Sequence, residues 1–450
     1  MSKSRRILAM ALSAAMGLTM LAGCSNDSGS GSGNNSPAGT NSPAGNNSPA
    51  GTDGDASKGK VYWLNFKPEL DETALALAKT YQDKTGVAVK VVTAASGTYE
   101  QQLLSEMDKN EPPTMFVIGK PTDAEKWKDY ALDLTGSKIA NALNTNDMNV
   151  YSSDGKLVSV PYCYECYGIV VNKDLVTQAG YNVDDIKGFD KLKEVAEDIH
   201  ARSAELGFDA FAASDLSDAN HWRITGHMVN LEYFYEQKDN HWTETPATIS
   251  GEYMDNFKQL FDLTVNNSCT EPKDLVSAGN DPVAQFKQKK AAFVLTGSWD
   301  AADIKGAGID ATMIPYYCGV SGEDKAGLNC GTENCWAINS KVSADDQAAT
   351  MDFMVWLVTD PDASAKLVND LGVLPYTDAA ASDNAFLAAA NKLSDDGCYA
   401  MNWATNYQPP ESSYRPPIAS ALHAYVVDQS DANWANVKAA IVDGWAAAQG

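Results

Sequence analysis

Hydrophobic and polar residues follow two alternating periods from about residue 60 onward. Residues 61–64 form a short β-rich run. The next stretch has apolar residues at helical spacing, namely Leu70, Ala74, Leu77 and Tyr81. Gly86 ends this predicted helix, and residues 87–92 are valine-rich and predict the next strand. The pattern therefore indicates a βαβ unit, the repeating element of α/β domains with largely parallel sheets.

Further units of the same kind follow along the chain. A helix carrying Leu103, Leu104 and Met107 precedes a predicted strand at residues 114–118. Helical and β-rich segments alternate again at residues 192–206, 208–213, 257–265 and 291–295. After Ile338 the pattern becomes mostly helical, with an apolar stripe that predicts core packing at Ala348, Met351, Val355 and Val358.

The first 23 residues have the pattern of a secretion signal. Basic side chains at Lys3, Arg5 and Arg6 precede an apolar stretch at residues 7–22. This stretch ends in Leu-Ala-Gly-Cys, which resembles the lipobox of bacterial lipoproteins. The resemblance implies that Cys24 becomes the first residue and carries a diacylglyceryl group. Because two acyl chains suffice for stable anchoring, we expect the protein on the outer face of the cell membrane.

Residues 24–57 predict a flexible tether between this anchor and the folded part. They are rich in Gly, Ser, Asn and Pro, and Asn-Ser-Pro-Ala-Gly occurs three times, beginning at Asn35, Asn41 and Asn47. Such segments bury too little apolar surface to offset the entropy of an ordered chain.

Composition and charge narrow the class of protein. The 450 residues suit two domains at roughly 100–200 residues each. With 59 acidic and 34 basic residues the net charge is −25, which opposes binding to nucleic acid. Without the signal, which holds three basic and no acidic residues, 31 basic groups face 59 acidic ones and the charge is −28. Past the signal, no apolar run approaches the ~20 residues that a membrane span needs.

Eight cysteines are present, and the lipobox would use Cys24. Seven remain, an odd number, so at least one thiol is expected to be free or paired elsewhere. Cys163-x-x-Cys166 and Cys330-x4-Cys335 are candidates for disulfides, a zinc knuckle or a redox pair. Disulfides are favoured, because a redox Cys-x-x-Cys belongs at a helix start and an extended run follows this one. The spacing leaves the connectivity open.

Motifs for catalysis or cofactors are missing from the sequence. The histidines His200, His221, His227, His241 and His423 have no metal-ligand spacing. No nucleophile elbow, P-loop or dinucleotide fingerprint occurs. We therefore expect no enzyme activity, no cofactor and no metal site.

Several segments, in order, resemble bacterial extracellular solute-binding proteins of the carbohydrate ABC-importer type. Residues 155–175 (GKLVSVPY…GIVVNKDL) are similar to that family's "GK-hydrophobic-x-x-P…YNKDL" crossing segment. Residues 286–299 (FKQKKAAFVLTGSW) are similar to its "F-x-x-G-K-A-A-M…G-x-W" segment, with Lys289 in place of the usual glycine. Residues 331–339, the helix up to Asp360 and residues 371–375 also resemble family elements, so the likeness spans about residues 61–442.

The resemblance implies a two-lobed α/β fold of the periplasmic-binding-protein type II kind, with a hinge of crossing segments and a ligand cleft between the lobes. Lobe 1 is expected to comprise residues 58–165 and 317–357, and lobe 2 residues 166–316 and 358–450. The hinge is expected near residues 163–166 and 314–317. The implied function is that of a monomeric receptor that binds an oligosaccharide and delivers it to the permeases of an ABC importer.

Sugars need planar amides and carboxylates for their hydroxyls and flat apolar surfaces for their C–H faces. The resemblance implies that Trp299 stacks on the ligand and that Glu165 accepts its hydroxyls. The alternatives are a packing tryptophan and a solvated hinge residue. Further candidates at strand ends and in loops are Trp63, Asn65, Lys67, Gly119, Lys120, Trp222, Glu333, Asn334, Trp403 and Tyr407, with Trp63 alternatively a core residue.

Two other functions fit the sequence. The acidic charge permits the same fold to bind a cation, a polyamine or another solute. A surface glycosidase with paired carboxylates is the second alternative.

Overall fold

The structure is a computed structural model, and it describes residues 58–146, 148–242 and 244–449. The predicted signal, the lipidated Cys24 and the predicted tether lie outside the described residues. Strands and helices alternate along most of the described chain, as the hydrophobic pattern predicts.

The strands, in chain order, are β1 (Lys60–Asn65), β2 (Ala88–Thr93), β3 (Met115–Val117), β4 (Val150–Tyr151), β5 (Leu157–Pro161), β6 (Glu165–Asn172), β7 (Asp209–Ala212), β8 (Ala291–Gly297), β9 (Ala311–Ile314), β10 (Ala326–Gly331), β11 (Cys335–Ile338) and β12 (Tyr399–Met401).

The helices are α1 (Asp71–Thr85), α2 (Tyr99–Met107), α3 (Pro121–Trp127), α4 (Lys138–Ala142), α5 (Lys173–Gln178), α6 (Phe189–Ala201), α7 (Ser203–Leu206), α8 (Asn230–Asn240), α9 (Met254–Asn266), α10 (Pro282–Lys287), α11 (Ala301–Gly306), α12 (Ala344–Thr359), α13 (Pro361–Leu371), α14 (Ala385–Asp395), α15 (Glu411–Val427) and α16 (Asp431–Ala447). None of these described helices is both long enough and apolar enough to span a bilayer.

Sheet 1 has the strand order β2-β1-β3-β11-β5-β4. Strand β1 is parallel to β2 and β3, whereas β11 is antiparallel to both β3 and β5. Successive side chains of a strand point to opposite faces, so both faces of this sheet are packed. Helices α1, α12 and α13 cover one face around Trp63, Trp336 and Phe353, while Phe116 and Trp127 lie in the core on the other. Sheet 1 and the helices that pack on it form lobe 1.

Sheet 2 has the order β12-β10-β6-β8-β7, and β9 also pairs with β6. Strand β6 is antiparallel to β8, β9 and β10, and β7 is parallel to β8. Helices α6, α8, α9, α15 and α16 contribute to the larger core, with Phe211 and Phe293 from the sheet at its centre. Sheet 2 and its helices form lobe 2. The predicted two-lobed α/β fold is confirmed.

The chain passes between the lobes three times within the described residues. Residues 162–164 join β5 to β6, residues 332–334 join β10 to β11, and residues 372–384 join α13 to α14. The first passage coincides with the predicted hinge at 163–166. Residues 314–317 instead lie inside lobe 2, because β9 pairs with β6 and the chain then continues into β10 of the same sheet.

Lobe membership also differs from the boundaries expected from sequence. Strand β10 lies in lobe 2, although residues 317–357 were assigned to lobe 1. Helix α13 packs into the lobe 1 core through Leu367 and Leu371, although it falls after the expected boundary at 357. Hydrophobic periodicity predicts that these elements are buried, but it carries no information on which of two cores buries them.

Helices α1 and α12 show how far the hydrophobic pattern predicts local structure. Helix α1 ends as predicted at Gly86, which has the left-handed φ of 75° that favours glycine at a helix C-terminus. The stripe predicted for α12 is confirmed only in part. Val358 is fully buried, and Met351 and Val355 pack against the core, whereas Ala348 is exposed. The other fully buried positions include Phe353, Met354 and Leu357. This helix is apolar around most of its circumference, so the pattern does not single out the buried face.

Candidate ligand-binding site

Most of the predicted site residues lie where the ends of strands meet the passages between the lobes. Lys67 follows β1 and Lys120 follows β3 in lobe 1, and Trp299 follows β8 in lobe 2. Glu165 begins β6 directly after the first passage, and Asn334 ends the second passage. A crevice at strand ends, between two domains, is where ligand sites form in α/β proteins.

A buried ion pair connects lobe 1 with the first residue of β6 in lobe 2. Lys67 Nζ lies 2.8 Å from Glu165 Oε1, and both side chains are almost fully buried. Lys67 also contacts Glu69 at 3.0 Å, and Asn334 Nδ2 donates to Glu165 Oε2 at 2.8 Å. Asn65 positions the lysine, because its side chain donates to the Lys67 carbonyl and accepts from the Lys67 amide. Every charged group of this network thus has a partner.

Electrostatics keep the ammonium group charged. Burial alone would lower the pKa of Lys67, but the carboxylates of Glu165 and Glu69 raise it well above its ordinary value. Burial raises the pKa of Glu165, and the Lys67 ammonium opposes that rise. The pair therefore places two opposite charges in a low-dielectric position beside the lobe interface.

A second ion-pair cluster joins the two lobes directly. Lys120 of lobe 1 contacts Glu411 at the start of α15 in lobe 2, and Arg415 lies 2.9 Å from the same carboxylate oxygen. Burial acts to raise the pKa of Glu411, but Arg415 and Lys120 bring it down to about 2. Burial raises the pKa of the neighbouring Asp123 to about 6, with Lys120 acting in the opposite direction. The lobes are thus held in contact by charged side chains at the site.

Aromatic rings form a continuous wall on lobe 2. The aromatic wall consists of Tyr167, Trp222, His227, Trp299 and Trp403. The His227 ring is stacked on Tyr167 with centroids 4.1 Å apart, and it lies 5.2 Å from Trp299. Trp222 lies 6.0 Å from Trp299, and Trp403 lies 5.2 Å from Tyr167. Lys67 of the buried ion pair lies 5.8 Å from the Trp299 ring, so the wall borders the polar network.

Two charged or titratable groups are associated with this wall. Burial, reinforced by the nearby cations Arg415 and Arg223, lowers the pKa of His227 well below its ordinary value, so the imidazole is neutral. The Arg223 guanidinium lies 4.2 Å from the Trp222 ring centre, a cation–π contact that fixes the indole. The wall therefore has a neutral imidazole at its centre and a cation at its edge.

Two glycines permit close approaches at the site. A Cβ atom added to Gly297 would lie 2.2 Å from the Trp299 ring, so the indole packs directly over that backbone. A Cβ atom at Gly119 would lie 2.1 Å from the carbonyl oxygen of Glu333 in the second passage. A side chain at either position would displace a neighbouring element of the site.

The structure brings most of the predicted site residues together. Those that lie in the ion-pair networks, the aromatic wall or the passages are Lys67, Gly119, Lys120, Glu165, Trp222, Trp299, Glu333, Asn334 and Trp403. Their contact with a ligand stays a prediction.

Three predicted residues have other surroundings. Trp63 is fully buried in lobe 1 against Trp336 and Phe353, because its position in β1 faces the helices. It is a core residue, the alternative noted from sequence. The Tyr407 ring contacts Trp242, away from the aromatic wall. Asn65 is buried and its side chain serves the backbone of the turn at Lys67.

Sequence reasoning missed Tyr167, Arg223, His227, Glu411 and Arg415. Arg223 and His227 belong to a π-helical turn at Arg223–Met228, and Glu411 and Arg415 begin α15. The local sequences of these four residues resemble ordinary helix segments, and Tyr167 lies in strand β6. Only their contacts with distant residues distinguish them, so no signal within the chain identifies them.

The cysteine predictions change as well. The seven described cysteines are free thiols. Cys163 lies near Thr332 and Cys335 near the Met148 carbonyl, in separate core clusters. Within the described ranges no group of three or more His, Cys, Asp or Glu side chains is arranged to hold a metal ion. The four cysteines of the two motifs do not converge, which removes the basis for a zinc knuckle.

Two α/β lobes, joined by short chain passages around a polar and aromatic interface, define the class of hinged, two-domain solute receptors. The sequence profile of the family described as "Bacterial extracellular solute-binding protein" matches residues 76–408, and the chain belongs to that family. This result confirms the resemblance seen in the sequence. Members of the family are solute-binding receptors.

Curated relatives are distant in sequence. The "Maltotriose-binding protein" of Pyrococcus abyssi is 22% identical over 338 residues, which cover 72% of this chain and 68% of the relative. The "Maltooligosaccharide ABC transporter solute-binding lipoprotein" of Streptococcus pneumoniae is 24% identical over 62% of this chain and 64% of its own length. The "Multiple sugar-binding protein" of Streptococcus mutans is 23% identical over 55% of this chain and 59% of its own length.

Solved structures share the fold. "SBP RafE in complex with raffinose" superposes with a TM-score of 0.68 at 17% identity, covering 87% of this chain and 100% of that one. A "Chitin oligosaccharide binding protein" superposes with a TM-score of 0.64 at 16% identity, covering 87% of this chain and 98% of that one. At these identities the likeness establishes the architecture alone.

Proposed function

We propose that this protein is a lipid-anchored receptor that captures an oligosaccharide between its lobes, outside the cell membrane, and delivers it to the permeases of an ABC importer. The observation that carries the proposal is the aromatic wall of lobe 2 beside the Lys67, Glu165 and Asn334 network. A row of flat rings suits the C–H faces of successive sugar units, and the carboxylate and amide suit their hydroxyls.

The names of the relatives support a sugar as the solute. Maltotriose, maltooligosaccharide and "multiple sugar" binding are named for three of them. One solved neighbour contains raffinose. The net charge of −25 alone would equally suit a cation or polyamine, but a wall built of indole rings around a neutral imidazole favours a neutral sugar.

The mode of action in this proposal is capture and release without reaction. Cys24 carries the acyl chains, residues 24–57 act as a tether, and one copy of the chain works alone with an importer. The lipobox-like sequence supports the anchor, and the word "lipoprotein" in the description of a Streptococcus pneumoniae relative is consistent with it.

Isothermal calorimetry with a panel of oligosaccharides tests the proposal. Once a ligand is found, Trp299→Ala is expected to weaken its binding by about 2 kcal/mol or more, because a buried indole anchor is lost. That corresponds to about thirtyfold in Kd. Trp356→Ala, in α12 of lobe 1, is the matched control and should leave the affinity unchanged.

Two results would contradict the proposal. Binding of polyamines or cations with no response to any sugar would support the same fold with another solute. Shortened products after incubation with oligosaccharides would identify a glycosidase. If the folded Trp299→Ala variant binds within twofold of the parent, Trp299 is a packing residue and the ligand lies elsewhere.

A further inference from the structure

Two thiols face each other across adjacent strands of sheet 2. Cys166 in β6 and Cys330 in β10 are directly opposite in the antiparallel register. Side chains directly opposite each other in an antiparallel pair lie on the same face of the sheet, so the two thiols are neighbours. Cys166 is the second residue after the first passage between the lobes, and Cys330 precedes the second passage by one residue. The pair therefore sits where both passages enter lobe 2.

The backbone geometry of this pair suits a disulfide. The amide of Cys166 donates to Ser298 Oγ at 3.1 Å, on the side of β6 that faces β8. It therefore points away from β10, which makes Cys166 and Cys330 a non-hydrogen-bonded pair. In such pairs the Cα atoms are about 4.5 Å apart. Disulfides bridge Cα atoms separated by about 4.4–6.8 Å, a range that includes the spacing of such pairs.

The other two cysteines of the sequence motifs have different neighbours. Cys163 Sγ lies 4.0 Å from Thr332 Oγ1, and Cys335 Sγ lies 3.7 Å from the carbonyl oxygen of Met148. Both are fully buried in lobe 1. The structure thus separates the four motif cysteines into one facing pair and two single buried thiols.

We propose that Cys166 and Cys330 are oxidised to a disulfide by a low-molecular-weight disulfide such as oxidised glutathione. Cys330 loses its proton, and its thiolate attacks one sulfur of the oxidant, forms a mixed disulfide and expels a small thiolate, which takes up a proton. Cys166 then loses its proton, and its thiolate attacks the Cys330 sulfur and expels the second small thiolate, which is protonated in turn. Two protein thiols and one small disulfide give one protein disulfide and two small thiols, so atoms and electrons balance.

The two thiols differ in the way that this sequence of steps requires. Cys330 is partly exposed, whereas Cys166 is fully buried. The neighbouring Cys166 thiol is the main cause that lowers the pKa of the Cys330 thiol, while burial raises that of Cys166. Cys330 therefore supplies the attacking thiolate, and Cys166 is held beside it to resolve the mixed disulfide.

Peptide mapping of the full chain tests the proposal. The protein is incubated in a glutathione buffer, free thiols are alkylated in denaturant, and the chain is digested with trypsin and a glutamate-specific protease. Cleavage after Glu165 and Lys173 releases residues 166–173, and cleavage after Lys325 and Glu333 releases residues 326–333. Each peptide contains a single cysteine, so a linked pair identifies the bond.

We expect these two peptides to be linked in the oxidised protein and separate after reduction. Cys163→Ser and Cys335→Ser are the matched controls and should keep the link, whereas Cys166→Ser and Cys330→Ser should lose it. Recovery of both peptides in alkylated form after oxidation, or linkage of either to another cysteine, would overturn the proposal. The parent protein alone decides this, so a variant that fails to fold does not affect the outcome.

Discussion

Replacing Lys67 with methionine should destabilise the protein strongly. The substitution keeps the length of the side chain but removes the ammonium that faces Glu165 at 2.8 Å. The Glu165 carboxylate would then keep only the neutral amide of Asn334, while its side chain stays 2% exposed. Removing one partner of a buried ion pair costs about 3–5 kcal/mol, because the remaining charge is desolvated without compensation. At about 2 °C per kcal/mol, the Tm should fall by about 6–10 °C.

Replacing the other partner of this ion pair should destabilise the protein less. In Glu165→Gln the ammonium of Lys67 keeps Glu69, which is 3.0 Å away and 36% exposed, and the new amide keeps the shape of the carboxylate. We expect a loss of about 1.5–3 kcal/mol, the range for a hydrogen bond to a charged group. We therefore expect Lys67→Met to be less stable than Glu165→Gln.

Thermal and denaturant unfolding of the parent and variants measures these differences. Lys79→Ala is the control, since its ion pair with Asp83 is exposed and should leave the Tm within about 1 °C of the parent. In Lys67→Met the pKa of Glu165 should rise further, so the gap to the parent should narrow as the pH falls and the carboxyl group takes up a proton. A Lys67→Met variant as stable as Lys79→Ala at pH 7 would refute the buried ion pair.

Three further predictions concern the site and the core. Gly297→Ala should displace the Trp299 ring and weaken oligosaccharide binding in calorimetry, whereas Gly306→Ala, with open space around it, should not. Glu411→Gln should loosen the contact with Lys120 and increase the radius of gyration of the ligand-free protein in small-angle scattering; an unchanged radius would contradict this. Burial and the neighbouring Glu236 carboxylate raise the pKa of Glu232 to about 9. Its stabilising effect is therefore complete below the unfolded pKa of about 4.3 and lost as the pH rises to about 9, and Glu232→Gln should flatten that fall in Tm.

Much of the fold could be predicted from the sequence because local patterns there agree with tertiary packing. The β1, α1 and β2 unit has a clear change of period and a glycine at the helix end. Helix α12 lacks such contrast, and its buried face was predicted only in part. The lobe to which β10 and α13 belong depends on long-range pairing, which no local pattern encodes.

The site was predictable only in part, for a related reason. Trp63 and Trp299 are both aromatic residues near the end of a strand, yet one lies in the core and the other in the aromatic wall. Trp63 lies within β1, where a shift of one residue would turn its side chain to the other face of the sheet. Trp299 lies in the turn after β8, where this alternation does not apply. Glu411 was missed because its chemistry arises from contact with Lys120, 291 positions away.

Strand β11 has a consequence for the order in which the protein folds. It pairs with β3 on one side and β5 on the other, so it occupies the middle of sheet 1 although it comes after β10 of the other lobe. Until residues 335–338 have been synthesised, β3 and β5 lack their shared neighbour and sheet 1 stays in two parts. Lobe 1 cannot reach its native state while the nascent chain is shorter than that. Contacts so distant along the chain slow folding, which prolongs the unfolded interval in which a polypeptide can still be threaded through a translocation channel.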